Sequence, residues 1–337
     1  MKKKVLSVLQ YLLFLSFGLG LLYLVFRKID LTLLVAELKS LNYFWLAAVF
    51  VVGIFSHIFR AIRWNLLINS MGYKTNTSRT FYAVMIGYLA NLAIPRIGEV
   101  TRCGILSKSE KIPVNSLIGT VISERIFDML ILIIITVMVI FFQLDLLGGF
   151  VHKYIVGPMA SGFMHNQVKL YILLIVSVCA LLIIIFTFNR IIERIRHFEI
   201  YQKIARLIAG FWIGILSIKK LKKKGWFLLH TVLIWSMYFL MTFLCFFSLP
   251  ATSHLGIPEG LTVLSLGSFG IVAPVPGGIG AYHFIVKAIL FELYGIVATS
   301  AASFATVSHF IQTLLIIIGG AVSYFMIVLF MRRKPIE

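Results

Sequence analysis

The chain of 337 residues is 60% hydrophobic and only 13% charged, and its 31 Lys and Arg against 12 Asp and Glu give a formal net charge of +19. This composition excludes a disordered chain and argues against a water-soluble domain, because so few charges cannot cover so much apolar surface. The basic residues lie between apolar runs, which is typical of membrane-protein loops and argues against nucleic acid as a partner.

Six apolar runs are long enough to cross a membrane, which takes about 20 residues. They cover residues 5–26, 43–62, 116–142, 168–189, 226–249 and 303–330. Residues 27–42 have the pattern of an amphipathic surface helix, and the very basic residues 190–224 that of a cytoplasmic segment lying on the membrane face. The sequence therefore predicts an all-α polytopic membrane protein with a single integral membrane domain, residues 1–337.

Two further apolar runs, 80–94 and 261–273, are too short to cross and end in helix-breaking residues. The breaking residues are Pro95 and Gly98 in the first case, and Pro274, Pro276, Gly277, Gly278 and Gly280 in the second. We predict re-entrant hairpins near 80–110 and 259–297, whose matching positions in the two halves indicate an inverted repeat. The Pro95 and Pro276 regions should then approach each other near the bilayer midplane.

The distribution of Lys and Arg predicts the orientation. With six crossings, 23 basic residues fall on the side of the termini and five on the other side. This bias predicts that both termini are cytoplasmic in a bacterial or archaeal inner membrane. The second run ends in Arg60 and Arg63-Trp64, and basic and aromatic side chains at the end of a run commonly anchor a helix at the interface.

Five ionisable residues lie in or beside the first break and the run after it, namely Arg96, Glu99, Glu124, Arg125 and Asp128. Glu124 and Asp128 are four residues apart on one helix face, so they require a cation, a proton or an arginine between them. We expect Arg96 or Arg125 to supply that charge.

Two interpretations of these charges stay open. They form an ion-pair network that only pins the broken helix to its neighbour, or they line a polar cavity that receives a headgroup or an ion. The candidate substrate-binding residues are Asn91, Arg96, Glu99, Arg102, Glu124, Arg125 and Asp128.

No catalytic constellation emerges from the sequence. The three cysteines are unclustered, the histidines lack metal-ligand spacing, and nucleotide-binding glycine loops, serine elbows and HExxH are absent. Lys287 and Glu292 are expected to reach the interface, and His57, His230, His283 and His309 to pack. The sequence therefore predicts no enzyme, no metal and no cofactor.

Four motifs occur in an order that resembles the lysylphosphatidylglycerol synthase transmembrane-region family, also called flippase-like or UPF0104 proteins. They are Arg60-Ala-Ile-Arg63-Trp64, Asn91 to Arg102, Thr120 to Asp128, and Pro274 to Gly280. The family includes the flippase domain that moves aminoacylated lipid in bacterial synthases. Since the chain reaches Glu337 without a soluble transferase domain, the resemblance implies a membrane translocation module, and its motifs fall on the candidate residues.

The favoured function is movement of a polar or aminoacylated phospholipid, or a polyprenyl-linked lipid, between leaflets. Arg96 and Arg125 would bind phosphate, while Glu99, Glu124 and Asp128 would take an amine or a coupling proton. The alternatives are an ion-coupled carrier of a small solute, a lipid-modifying transferase, and a partner subunit of a separate lipid synthase. A groove open to lipid would favour the lipid over the soluble solute.

Overall fold

The computed structural model describes residues 2–144, 146, 221 and 223–332, with side chains from 11 onward, and all of its described regular structure is helical. The chain divides into two compact units, residues 1–142 with 217–337 and residues 143–216, and almost all described residues belong to the first. The predicted crossing at 168–189 and most of the basic segment 190–224 lie outside the described residues. The all-α membrane fold is confirmed.

The first half contains six described helices. They are α1 (Lys2–Phe26), α2 (Leu31–Lys39), α3 (Tyr43–Ser70), α4 (Thr77–Ala93), α5 (Gly98–Glu110) and α6 (Val114–Phe142). Polar residues begin several of them: the Asp30 side chain accepts from Thr32 N at 2.8 Å, and Asn42 Oδ1 accepts from Phe44 N at 3.1 Å. Such caps satisfy backbone N–H groups that a helix start leaves free.

The second half begins with α7 (Lys224–Phe246) and α8 (Ile257–Val272). A turn that includes the 3₁₀ segment Pro276–Gly278 leads to α9 (Ala281–Ala288), which continues into one π-helical turn at Ile289–Leu293. The long α10 (Ala298–Arg332) ends the described chain. α3 packs along α7, α10 packs along α4, and α6 contacts α3, α5 and α8.

Among the described residues, four helices are long and apolar enough to cross a membrane: α3, α6, α7 and α10. α1 and α2 meet at a bend of 90° and form a fifth candidate. Five of the six predicted crossings therefore correspond to described helices. The second crossing is longer than predicted, because α3 continues to Ser70 instead of ending near residue 62.

Both predicted hairpins are present as short antiparallel helix pairs. α4 ends before Pro95 and packs against α5, while α8 ends before the Pro276–Gly278 turn and packs against α9. Glycines permit the close approach: a Cβ at Gly87 would lie 2.8 Å from Gly98 O, and one at Gly270 would lie 2.7 Å from Tyr282 Cα. Larger residues at these positions would force the helices of each pair apart.

The two breaks also meet each other, as predicted. The Pro276–Gly278 turn packs against α4, and a Cβ at Gly277 would lie 3.1 Å from Leu92 Cδ2, near the end of that helix. α1 contacts the same turn, because Gly18 lies against the backbone of Ile279 and Gly280. The two hairpins and α1 thus share one packed junction.

Candidate functional site

A largely buried ionic network joins α3 to α6. Arg60 and Arg63 are three residues apart on α3, and Glu124 and Asp128 are four apart on α6, so each pair projects from one helix face. Asp128 lies 2.9 Å from Arg60 Nη1 and 2.7 Å from Arg63 Nη2. Glu124 pairs with Arg60 and lies 3.4 Å from Arg63 Nη2. The two carboxylates therefore share two arginines.

A third arginine reaches this network from the first hairpin. Arg102 of α5 is 3% exposed, and its Nη2 lies 3.0 Å from Glu124 Oε2, although the angle is outside hydrogen-bond geometry. The Arg102 guanidinium also stacks on the ring of Trp64, 4.6 Å from the ring centre. On the far side of the network, Tyr238 of α7 accepts from Arg60 Nη2 at 2.9 Å. Ion pairs thus link α3 and α6 to the hairpin, and a hydrogen bond from Arg60 adds α7.

The charge balance of the network is positive. Three arginines (Arg60, Arg63 and Arg102) face only two carboxylates, Glu124 and Asp128. Burying charges is costly, and it is tolerated when every charge has a partner. Because Glu124 is fully buried against three guanidinium groups, it is the central residue of the network.

A separate ion pair lies at the edge of the hairpin. Arg125 Nη2 is 2.9 Å from Glu99 Oε1, and the side chains are 40% and 28% exposed. This pair lines a small cavity between α4, α5 and α6, whose free volume of about 10 Å³ has room for about one water molecule. Arg102 and Asn91 line the same cavity, and Asn91 Oδ1 accepts from Gly98 N at 2.6 Å.

The prediction that Arg96 or Arg125 pairs with Glu124 and Asp128 was therefore wrong. Arg96 is exposed at the turn between α4 and α5, with a left-handed φ of 66°, and its side chain makes no ion pair or hydrogen bond with any described residue. Arg125 pairs with Glu99 instead of Glu124 or Asp128. The structure thus brings together Glu124, Asp128 and Arg102 in one group, Asn91, Glu99 and Arg125 at the adjoining cavity, and leaves Arg96 outside both.

The prediction of an interfacial position for Arg60, Arg63 and Trp64 was also wrong. All three are buried, with Arg63 and Trp64 fully so. The apolar run ends near residue 62, whereas α3 continues for two more turns to Ser70. The spacing of the two arginines was an available signal, since it matches one helix face opposite the i, i+4 carboxylates.

The second break contains no ion pair among the described residues. Its turn is fixed by His309 of α10, whose Nε2 donates to Gly277 O at 2.8 Å. The rings of His283 and His309 are packed 4.7 Å apart, and Tyr282 OH lies 3.1 Å from Ser308 Oγ. Lys287, which we expect at the interface, donates from its Nζ to Val25 O at 2.7 Å near the end of α1.

An apolar groove opens beside the ionic network. It has a volume of about 290 Å³ and lies between α6, α7 and α8. Its lining is almost entirely hydrophobic, with Thr231, Trp235 and Ser236 as its polar members. Thr231 connects the groove to the network, because its Oγ1 accepts from Arg63 Nη1 at 3.3 Å. Within the described ranges, no three His, Cys, Asp or Glu side chains are grouped to hold a metal ion.

Comparison with known proteins agrees with these features. The model of the family described as lysylphosphatidylglycerol synthase TM region matches residues 7–320. A UPF0104 membrane protein of Methanocaldococcus jannaschii is 24% identical over 338 residues, covering 97% of this chain and 95% of the relative. No solved structure matches the chain. Since the family model spans nearly the whole sequence, this multi-pass membrane protein belongs to the lysylphosphatidylglycerol synthase TM region family.

Proposed function

We propose that the protein moves the polar headgroup of a membrane lipid from one leaflet to the other. The observation that carries this proposal is the group of seven ionisable side chains at the broken hairpin and the two helices behind it. A headgroup needs polar partners inside the bilayer, because charges are costly in hydrocarbon. Irregular backbone at a helix break offers further hydrogen-bonding groups along the same path.

The groove between α6, α7 and α8 supports a lipid over a soluble solute. A lipid keeps its tails in hydrocarbon while its headgroup crosses, so its carrier needs an apolar groove beside the polar path. The groove is apolar and open on one side, and Thr231 links it to Arg63 of the network. A carrier of a small polar solute would instead need a polar cavity enclosed within the bundle.

The conformation described is closed to a headgroup. A cavity of about 10 Å³ at Arg102 and Asn91 cannot hold one, so transport requires the α4–α5 hairpin to move. The half-exposed Glu99–Arg125 pair lies at the edge of that cavity and is held less firmly than the buried pairs. Opening would therefore begin by separating these two side chains.

The proposed location is the cytoplasmic membrane of a bacterium or archaeon, with both termini in the cytoplasm. The buried arginines Arg60, Arg63 and Arg102 no longer count as loop charges, which leaves 20 basic residues on the terminal side against five on the other. The bias remains strong. Single cysteines introduced at positions 2 and 335 should be protected from labelling by an impermeant reagent in intact cells.

Reconstitution into vesicles tests the proposed activity. Purified protein would be inserted into vesicles that carry a fluorescent lipid, and loss of fluorescence from the outer leaflet would be followed after adding an impermeant quencher. We expect quenching beyond half of the signal, which means that inner-leaflet lipid has reached the surface. Vesicles with the same protein unfolded beforehand are the control. Uptake of small solutes without lipid movement would contradict the proposal.

A further inference from the structure

We propose that the cavity lined by Arg102 and Arg125 is an anion site that recognises the phosphate of a net-negative lipid headgroup. The inference rests on the proposed function and specifies its substrate class. It differs from an amine-recognition site, which the sequence suggested through the three carboxylates Glu99, Glu124 and Asp128 near the first break. The structure assigns those carboxylates to arginines instead.

Arg102 supplies unused hydrogen-bond donors. The side chain is 3% exposed and lines the cavity, yet its Nε has no hydrogen-bond partner within the described part of the chain. Its Nη2 lies 3.0 Å from Glu124 Oε2 but outside hydrogen-bond geometry. A buried guanidinium N–H group without an acceptor is unfavourable, and a phosphate oxygen is the acceptor that its planar fork fits best. Stacking on Trp64 fixes the plane of the guanidinium before a ligand arrives.

The charge of the region also favours an anion. Four arginines (Arg60, Arg63, Arg102 and Arg125) face three carboxylates (Glu99, Glu124 and Asp128) around the hairpin, so the described side chains there have one surplus positive charge. A monoanionic phosphate diester would neutralise that surplus. An added amine would increase it, which low-dielectric surroundings make costly.

Glu99 gives the site a means of opening. Its Oε1 pairs with Arg125, and its side chain is 28% exposed, so it can rotate outward without burying a charge. Its departure would enlarge the cavity and release Arg125, and the phosphate would then bridge Arg102 and Arg125. In this scheme Glu99 occupies the place of the substrate in the closed state, and the carboxylate and the phosphate compete for Arg125.

Competition between the Glu99 carboxylate and the phosphate predicts a change in lipid affinity whose direction an amine site cannot produce. Glu99→Gln removes the competing carboxylate, so affinity for an anionic lipid should rise. If Glu99 instead received an amine, the same change would lower affinity. Arg102→Gln should weaken binding of the anionic lipid about tenfold, as expected for loss of charge-assisted hydrogen bonds. Arg79→Gln is the matched control, because Arg79 pairs with Glu110 at 3.0 Å outside the cavity.

The test is lipid retention measured by native mass spectrometry of the full chain in detergent. Phosphatidylglycerol, phosphatidylethanolamine and an aminoacylated phosphatidylglycerol would be offered to the wild type and to the Glu99→Gln, Arg102→Gln and Arg79→Gln variants. We expect phosphatidylglycerol to be retained at least about tenfold better than the two amine-bearing lipids. Preference for either amine lipid, or lower retention of phosphatidylglycerol by Glu99→Gln, would overturn the inference.

Two further outcomes are distinguishable. Displacement of phosphatidylglycerol by an equal concentration of glycerol 3-phosphate would assign the site to a soluble phosphate ester and overturn the lipid assignment. Selective binding of phosphatidylglycerol without any lipid movement in vesicles would support the anion site and contradict the proposed transport. If Arg102→Gln does not fold, the direction of the Glu99→Gln change decides the question by itself.

Discussion

Each of the two helix breaks joins two packed short helices, but different interactions hold them. The first, between α4 and α5, is held from behind by arginines and carboxylates that link it to α3 and α6. The second, between α8 and α9, is held by glycine contacts and by one hydrogen bond from His309 to the Gly277 carbonyl. The second break is thus held without an ion pair at its turn among the described residues. We therefore expect the charges at the first break to serve a purpose beyond holding the helices together.

The largest expected effect is at the centre of the charged break. Glu124→Gln leaves three buried guanidinium groups facing one carboxylate, so we expect the protein to lose about 3–5 kcal/mol of stability. Thermal unfolding in detergent would show this as a large fall in Tm. Glu110→Gln is the control, because Glu110 pairs with Arg79 outside the network and its loss should cost about 1 kcal/mol. Equal effects at both positions would contradict the central role of Glu124.

The second break should be most sensitive at Gly280. Its φ of 82° disfavours any side chain, and a Cβ there would meet the backbone of Gly18. We expect Gly280→Ala to destabilise by about 2–3 kcal/mol, from the left-handed conformation and the overlap together. Gly295→Ala isolates the conformational part, since Gly295 has a φ of 66° and open space around it. If the two variants unfold at the same temperature, packing of α1 on the second break contributes nothing.

A smaller effect is expected at His309. His309→Leu removes the donor to Gly277 O and leaves that carbonyl unsatisfied, which should cost about 1–2 kcal/mol. His309→Gln retains a donor and should recover part of the loss. The measurement is again Tm in detergent, and a leucine variant as stable as the wild type would show that this bond does not hold the turn.

The smallest stability effect is expected at the edge of the first break. Glu99 and Arg125 are partly exposed, so Glu99→Gln should change stability by less than about 1 kcal/mol. Any change in lipid binding or movement in this variant can then be attributed to the site and not to unfolding. A fall in Tm as large as that of Glu124→Gln would place Glu99 in the structural network and refute the separation of the two groups.

Local patterns were sufficient to predict both breaks and the membrane fold. The short apolar runs ending at Pro95 and Pro274 indicated the hairpins, because helix-breaking residues act on their own segment. The need of Glu124 and Asp128 for a cation, a proton or an arginine between them also followed from their spacing on one helix face. These inferences required no knowledge of which helices are neighbours.

Local patterns could not predict which arginines pair with Glu124 and Asp128. Arg60 and Arg63 precede Glu124 by about 60 residues and reach it only because α3 packs against α6 and α7. The end of the apolar run near residue 62 pointed to the interface, while the helix continues to Ser70. Arg96 lies in the hairpin turn itself, yet its side chain is exposed and makes no ion pair with the network, which a local pattern cannot reveal.

The central claim is that the charged break carries a lipid headgroup and that Arg102 is the residue the headgroup needs. Arg102→Gln leaves two arginines facing Glu124 and Asp128, so the network stays balanced and stability should fall less than in Glu124→Gln.

The most direct measurement is therefore the rate at which fluorescent phosphatidylglycerol is flipped in reconstituted vesicles. The proteins compared are the wild type, Arg102→Gln and Arg79→Gln. We expect wild-type rates for Arg79→Gln and a loss of at least about tenfold for folded Arg102→Gln. Equal rates in all three proteins would contradict the central claim.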